Sequence, residues 1–343
     1  MKEIALVTGA AGFLGSHLVQ KLLDEGRPVR ALIRSTPLAI EHPNLEYCSG
    51  DVQDAEAMQA ACAGVGTVFH TAAFIATLGG SAVTAQYRDR AFAINVGGTR
   101  NLLQACRAQG VARFVHTSSV DVCFNHVQDM HMDEHTPYAT DFKAVYTETK
   151  IEAEKLVLAA NGEGGLATCA LRPDGIWGAG ECVMFEALVE KMVDGNFGTR
   201  MAGNGAVHDH VHVDNLVHAH LLAESALAPG SAVAGKAYFV SDGHPAAFFD
   251  FVKPFLEGLG REVPKPTVPA APIYHVMRLW QWLHFKLNLP PPMLTPHEVN
   301  KAAISHVVSS AAAERDFGYR PVVSVEQGMA EAVAWFRAQR GMD

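Results

Sequence analysis

The chain contains no C-x-x-C pair, no block of lysine and arginine, and no charge-free run of 18 apolar residues. Each absence closes off a class of protein. Without paired spacing, Cys48, Cys62, Cys106, Cys123, Cys169 and Cys182 read as reduced thiols in apolar stretches, not as a disulfide frame. Without a basic stripe, and with a formal net charge of −9, the chain does not look like a partner of nucleic acid. Without a long apolar run, no segment is expected to span a bilayer. The N-terminus passes from Met1-Lys2-Glu3 straight into a strand pattern and shows no signal-peptide core, so a cytoplasmic location is expected. Repeats and low-complexity tracts are also missing. The 343 residues therefore read as one large α/β domain with a smaller appended part.

What is present is alternation. Short apolar runs at 4–7, 28–33, 45–48, 67–70, 113–116 and 166–171 read as strands. Between them, helical patterns run over 12–25, 54–62, 90–109 and 143–160. Strands buried on both faces read as continuous apolar runs, so this order predicts a Rossmann-type, doubly wound parallel sheet. The pattern loosens after Pro173. Helices are expected over 181–193, 215–227, 248–259 and 325–340, with strand-like pieces at 211–213 and 238–240. The division that follows is a dinucleotide-binding core over 1–175. Residues 176–343 are mostly a substrate-binding region, with elements that return to the core.

The first strand leads into Thr8-Gly9-Ala10-Ala11-Gly12-Phe13-Leu14-Gly15, which opens the first helix. Gly9 permits the sharp turn, Gly12 lets backbone approach a pyrophosphate, and Gly15 allows close helix–strand packing. Phosphates would sit at the helix N-terminus, where free N–H groups and the dipole favour anions. An acid at the end of the second strand would hold the ribose hydroxyls of NAD. Here Ile33 occupies that place and Arg34 follows, able to pair with a 2′-phosphate. NADP(H) is therefore favoured, with NAD(H) bound through backbone contacts as the alternative.

Tyr146-Thr147-Glu148-Thr149-Lys150 puts Tyr146 and Lys150 on one helix face. A free phenol, with a pKa of about 10, is a poor acid–base at neutral pH, and bringing it there needs roughly 4 kcal/mol of phenolate stabilisation. The Lys150 ammonium and a positive nicotinamide ring could supply it. Such a tyrosine takes a proton from an alcohol as hydride leaves, or returns one to a carbonyl as hydride arrives. Thr117-Ser118-Ser119 closes the fifth strand at the sheet's carboxyl edge, where a serine hydroxyl can hold the substrate oxygen.

Together these residues resemble the extended short-chain dehydrogenase/reductases, and within them the 3β-hydroxysteroid dehydrogenase and sterol-4α-carboxylate 3-dehydrogenase branch. The resemblance also takes in Val68-Phe69-His70-Thr71-Ala72-Ala73, Asn95-Val96-Gly97-Gly98-Thr99, Leu171-Arg172-Pro173, Val211-His212-Val213-Asp214-Asn215 and Arg315-Asp316-Phe317-Gly318-Tyr319-Arg320-Pro321. It implies a catalytic set of Ser119, Tyr146 and Lys150. Ser119 is preferred to Ser118 because Val122 follows it at the family's spacing. It further implies that Asp51 and Val52 hold the adenine edge, that Ala72 lines the nicotinamide side, and that Asn95 ties a helix to the active-site strand. A homodimer is implied as well. Arg34 departs from the steroid branch and looks like flavonol and β-ketoacid reductases.

Between Pro264 and Leu294 lies an amphipathic, aromatic-rich helix bearing Tyr274, Trp280, Trp282 and Phe285. It could cover a flat apolar substrate, contact a membrane surface through 270–290, or serve as an ordinary core helix or dimer face. His208, His210 and His212 have strand spacing and could point one way, but no further ligand is evident and no metal is expected. The favoured activity interconverts a secondary alcohol and a ketone on an apolar substrate, foremost the 3β-hydroxyl of a sterol or steroid. A 4-carboxysterol would then lose carbon dioxide as its β-keto acid. Alternatives are NADPH-dependent reduction of a long-chain β-keto acid or flavonol-like carbonyl, nucleotide-sugar epimerisation or dehydration, and dinucleotide sensing without turnover.

Overall fold

The computed structural model describes the chain apart from residues 1–2, 37, 76–84, 127–128, 143, 182–184, 186–199, 203–204, 264–265, 288, 291, 293 and 342–343. The first half runs β1 (Ile4–Thr8), α1 (Phe13–Asp24), β2 (Val29–Ile33), β3 (Leu45–Ser49), α2 (Ala55–Cys62), β4 (Val65–His70), α3 (Ala85–Ala91), a π-helical turn (Phe92–Gly97), α4 (Gly98–Gln109), β5 (Arg113–Thr117), a short 3-10 turn (Val120–Val122), β6 (Met130–Met132), α5 (Val145–Ala159) and β7 (Ala167–Pro173). The second half runs β8 (Ile176–Trp177), β9 (Arg200–Ala202), β10 (Val207–His208), β11 (Val211–His212), α6 (Val213–Ala226), β12 (Lys236–Val240), β13 (Ala246–Ala247), α7 (Phe248–Gly258), β14 (Pro266–Pro269), α8 (Ala270–Leu287), α9 (Pro296–Ala303), β15 (His306–Val308), α10 (Ala311–Phe317) and α11 (Val325–Arg340).

Seven strands form one parallel sheet in the order β12-β7-β5-β4-β1-β2-β3. The order runs outward from β1 in both directions, so the chain reverses its direction of travel between β1 and β4. Side chains alternate across the sheet as the pleat requires. Ala5 and Val7 of β1 enter a core shared with Leu18, Val19 and Leu22 of α1 and Leu216 and Ala219 of α6. Leu6 enters the opposite core with Met58 of α2, Leu102 and Leu103 of α4 and Val157 of α5. The strand-like piece at 238–240 is the end of β12, the sheet's outermost strand beside β7.

The helix expected over 90–109 is interrupted. The π-helical turn at Phe92–Gly97 separates α3 from α4, and it places Asn95 inward, 3% exposed. Gly98 follows, and a Cβ there would lie 2.5 Å from the Val52 side chain, so its absence lets α4 close on that loop. The helix expected over 181–193 falls almost wholly outside the described residues, as does Cys182. The other five cysteines are free thiols.

A smaller core gathers Trp177, Phe185, Phe251, Phe255, Met329 and Phe336 from β8, α7, α11 and the segment after β8. Burying each such ring contributes roughly 1.5–3 kcal/mol. The aromatic helix α8 does not share in it. Ala270 is its one buried residue, and Val276, Leu279, Trp282, Phe285 and Leu287 face outward. The reading of α8 as an ordinary core helix is therefore not met. Of the three closely spaced histidines, His208 and His210 share the surroundings of Asp174 and His306, and His212 lies apart. His208 pairs with His306 in a second small sheet, His210 stacks on Phe251 at 3.8 Å, and His212 caps α6 through Asp214 N–H.

Candidate active site

The glycine loop is as tight as its spacing suggests. Gly9 has φ +68°, and a Cβ there would lie 2.8 Å from the backbone nitrogen of Ala72. A Cβ on Gly15 would lie 2.1 Å from the carbonyl oxygen of Gly9. The loop thus packs at backbone distance on both sides. Gly12 stands at the N-cap of α1 with no capping side chain, and the first turn carries no acid. A 12-residue helix with an uncapped, acid-free N-terminus beside a glycine cradle suits a pyrophosphate. Phe13 is half-buried against the core and Leu14 is buried, so both anchor the loop from below.

Lys150 lies within the protein, 2% exposed. Its Nζ donates to the carbonyl oxygen of Thr117 at 2.6 Å and lies 3.3 Å from His116 Nε2. Burial lowers its pKa to about 8, against the pull of Glu154 one turn on. The imidazoles around it are held neutral. Burial, with the Lys150 charge, lowers His70 to about 3 and puts His116 well below its ordinary value. Burial takes His220, bonded to Thr117 Oγ1 at 2.8 Å, to about 4. Lys150 is therefore the cation of this patch at neutral pH.

Ser119 caps the 3-10 turn after β5, accepting the Asp121 N–H at 3.2 Å, and it hydrogen-bonds the Tyr146 phenol. Ser118 Oγ is buried without a partner and does not take that place. Burial and the Asp121 carboxylate push the Tyr146 phenol above its ordinary value, opposed by Lys301 and the Ser119 bond. The protein alone thus does not depress this tyrosine. The positive ring of a bound coenzyme would supply the expected lowering.

A line of hydrogen bonds ties the loop to the tyrosine's helix. Thr8 Oγ1 meets His70 Nδ1 at 2.7 Å, and His70 Nε2 meets Thr99 Oγ1 at 2.9 Å. Thr99 Oγ1 donates to Asn95 O at 2.6 Å, and Asn95 Nδ2 donates to Thr149 Oγ1 at 2.9 Å. Thr149 Oγ1 in turn donates to Tyr146 O at 2.9 Å. Asn95 also holds both backbone groups of Phe74, at 2.6 and 3.1 Å. One turn past Lys150 on α5, Glu154 is gripped by Arg172 through Nε and Nη2, the closer contact at 2.6 Å, in a buried pair.

The adenine end is more open. Arg34 is exposed, and its Nη1 lies 3.8 Å from Asp51 Oδ2. Val52 is buried against Gly98, and Ala72 N donates to Thr8 Oγ1 at 3.3 Å. Lys301 and Asp121 beside Tyr146, with Asp174 and His306 behind them, escaped the sequence reading. Lys301 of α9 reaches Asp121 Oδ1 at 2.8 Å and Asp174 Oδ1 at 3.5 Å, and His306 lies 3.0 Å from Asp174. Asp121 alone carried a signal, since it stands two residues past Ser119. Nothing local marks Lys301, which arrives from 180 residues farther along the chain.

The model of the 3-beta hydroxysteroid dehydrogenase/isomerase family matches residues 6–270, the span from the first strand to the start of α8. The chain belongs to that family. The 3 beta-hydroxysteroid dehydrogenase/Delta 5-->4-isomerase of Mycobacterium tuberculosis is 43% identical over 331 residues, covering 96% of this chain and 90% of the relative. The 2-alkyl-3-oxoalkanoate reductase of Stenotrophomonas maltophilia is 38% identical, covering 94% and 96%. The crystal structure of gox2253 superposes with a TM-score of 0.77 at 25% identity, covering 99% of each chain. As a member of this family the chain is an NAD(P)-dependent oxidoreductase with the extended short-chain dehydrogenase fold. Among the described residues no helix is long and apolar enough to cross a membrane.

Proposed function

We propose that this family member oxidises the 3β-hydroxyl of a sterol or steroid to the ketone, and runs the reverse reduction. The supporting observation is the Ser119–Tyr146 contact at the carboxyl edge of the sheet, in a chain 43% identical to a 3 beta-hydroxysteroid dehydrogenase. The uncapped, acid-free N-terminus of α1, reached through a turn that only glycine at positions 9 and 15 can make, fits the pyrophosphate of a dinucleotide. Gly9, Gly12, Phe13, Leu14 and Gly15 would hold its pyrophosphate, Asp51 and Val52 its adenine end, and Ala72 and Lys150 its nicotinamide end. When bound, its nicotinamide accepts or returns the hydride.

The chain's own groups handle the proton. Ser119 fixes the substrate oxygen, and Tyr146 takes the hydroxyl proton as the carbon–hydrogen bond breaks. Lys150, anchored on Thr117 O, would hold the ribose hydroxyls with its positive charge. On a 4-carboxysterol the product is a β-keto acid, which loses carbon dioxide without another residue. The test is coenzyme reduction with a panel of 3β-hydroxysteroids, sterols and β-hydroxy acids. Turnover confined to β-hydroxy acids would favour the second reading, a 3-oxoacid reductase, which the 38% identity to the Stenotrophomonas enzyme supports.

Exposed Arg34 supports NADP(H), although the neighbouring Asp51 carboxylate opposes a 2′-phosphate. The coenzyme core is assigned to 1–175 and the substrate side mostly to 176–343, with α6 and β12 returned to the core sheet. The helix α8 supports contact with an anionic lipid surface. Trp282, Phe285 and Leu279 point outward beside Arg278 and Lys286, and α8 carries no acid in a chain of net charge −9. Co-sedimentation with phosphatidylserine vesicles, lost in Trp282→Gln/Phe285→Gln, tests this. Sedimentation-velocity analysis tests the homodimer.

A further inference from the structure

Lys301 has no part in the glycine loop or in the Ser119, Tyr146 and Lys150 set, yet it is built into the same site. Its helix α9 begins with a complete capping box, Thr295 with Glu298, and a proline in the first turn, so its register is firmly set. From there the side chain, about a third exposed, reaches two carboxylates that are almost wholly enclosed. Asp121 is 5% exposed and Asp174 is 3% exposed. Buried carboxylates need a cation, and Lys301 serves both, with His306 on the far oxygen of Asp174. Asp121 is joined in turn to the reacting groups. Its N–H donates to Ser119 Oγ, and Ser119 bonds the phenol of Tyr146.

We infer that Lys301 is a positioning residue for the proton transfer: fixed by Asp121 and Asp174 beside Tyr146, its ammonium stabilises the phenolate, while the Asp121 carboxylate opposes it. The inference rests on Tyr146 being the acid–base. The Lys301 ammonium favours the phenolate of Tyr146, and Tyr146 in turn raises Lys301. Lys150 is directed elsewhere, toward Thr117 O and His116. Among the described residues, other titratable groups surround Tyr146, Asp121 and Lys301; His208 and His210, which feel Lys301 and Asp174, are lowered by burial to about 3 and about 4. From α3 come Tyr87 and Arg88, with Arg88 held by Glu148 of α5 at 2.7 Å. From α9 comes His297, which acts on Asp121. From β15 comes His306, held by Asp174.

The two charges should move the tyrosine in opposite directions, a signature that loss of packing does not produce. The full-length enzyme would be assayed for oxidation of a 3β-hydroxysteroid from about pH 6 to about pH 10, following the limb on which activity rises as Tyr146 ionises. Lys301→Gln should move that limb alkaline by about one pH unit, and Asp121→Asn should move it acidic by a similar amount. The double variant should return toward the parent, and Lys301→Arg should leave the limb in place. If Lys301→Gln fails to fold, Asp121→Asn and Lys301→Arg still decide the matter. Limbs that stay fixed, or that move the same way in folded variants with parental coenzyme affinity, overturn the inference. Tyr146→Phe separates the two claims: if that variant still turns over, it is the reading of Tyr146 that fails.

Discussion

The Nζ of Lys150 donates a 2.6 Å hydrogen bond to the carbonyl oxygen of Thr117, the last residue of β5. The bond fixes a buried ammonium to the strand that leads into Ser119. Burial brings its pKa to about 8 in the folded protein. With the folded value below the ordinary 10.4 of lysine, the unfolded chain binds more protons between about pH 8 and about pH 10. This group therefore makes stability rise with pH across that window, while the site loses its positive charge. In coenzyme-free enzyme, affinity for coenzyme should fall as pH passes about 8, and Lys150→Met should lose at least about tenfold in affinity at neutral pH. Fluorescence titration against pH checks both; a flat profile in the parent contradicts the assignment.

Gly15 tests the cradle. An alanine methyl would meet the Gly9 carbonyl at 2.1 Å, a distance backbone cannot relieve without moving the loop. Gly15→Ala should cost about 2 kcal/mol or more of stability, or abolish coenzyme binding. Gly12→Ala, whose methyl would lie 3.2 Å from the same oxygen, should fold as the parent does and bind coenzyme more weakly. Thermal melts with and without coenzyme distinguish them.

Much of this was legible in the chain because the signals are local. Continuous apolar runs marked the core strands, and the glycine spacing with the Tyr146/Lys150 interval marked the loop and the helix face. Other features depend on contacts far along the chain. The break at Phe92–Gly97 follows from Asn95 bonding Phe74 and Thr149, which no helical periodicity encodes. Lys301 meets Asp121 only because α9 returns to the site. The three histidines at 208, 210 and 212 share a strand-like spacing, but the chain changes sheet between β10 and β11, and His212 there caps α6 instead of joining His208 and His210.

Arg34 and Asp51 form a weak pair at 3.8 Å, and they predict opposite effects on coenzyme choice. Arg34→Glu should raise the KM for NADP at least about tenfold through charge repulsion, with little change for NAD. Asp51→Asn should improve NADP relative to NAD. Steady-state kinetics with both coenzymes reads the pair; an unchanged ratio in both variants removes Arg34 from coenzyme selection.

Asp209 is 1% exposed, and one of its oxygens accepts Val308 N–H at 2.8 Å. Burial pushes its pKa to about 6. Because the folded value exceeds the ordinary one, the folded protein binds more protons between about pH 4 and about pH 6. This group's contribution therefore makes stability fall as pH rises through that window. Asp209→Asn, which keeps the acceptor, should remove that fall and gain on the order of 2 kcal/mol at neutral pH. Urea unfolding at several pH values checks the sign, and a variant less stable at neutral pH contradicts it.

The most direct test of the account is turnover by Tyr146→Phe with a 3β-hydroxysteroid the parent oxidises. The phenyl ring keeps the packing and removes only the hydroxyl that exchanges the proton. The account predicts a fall in kcat of about a thousandfold with coenzyme affinity unchanged. Turnover within a few-fold of the parent would contradict it.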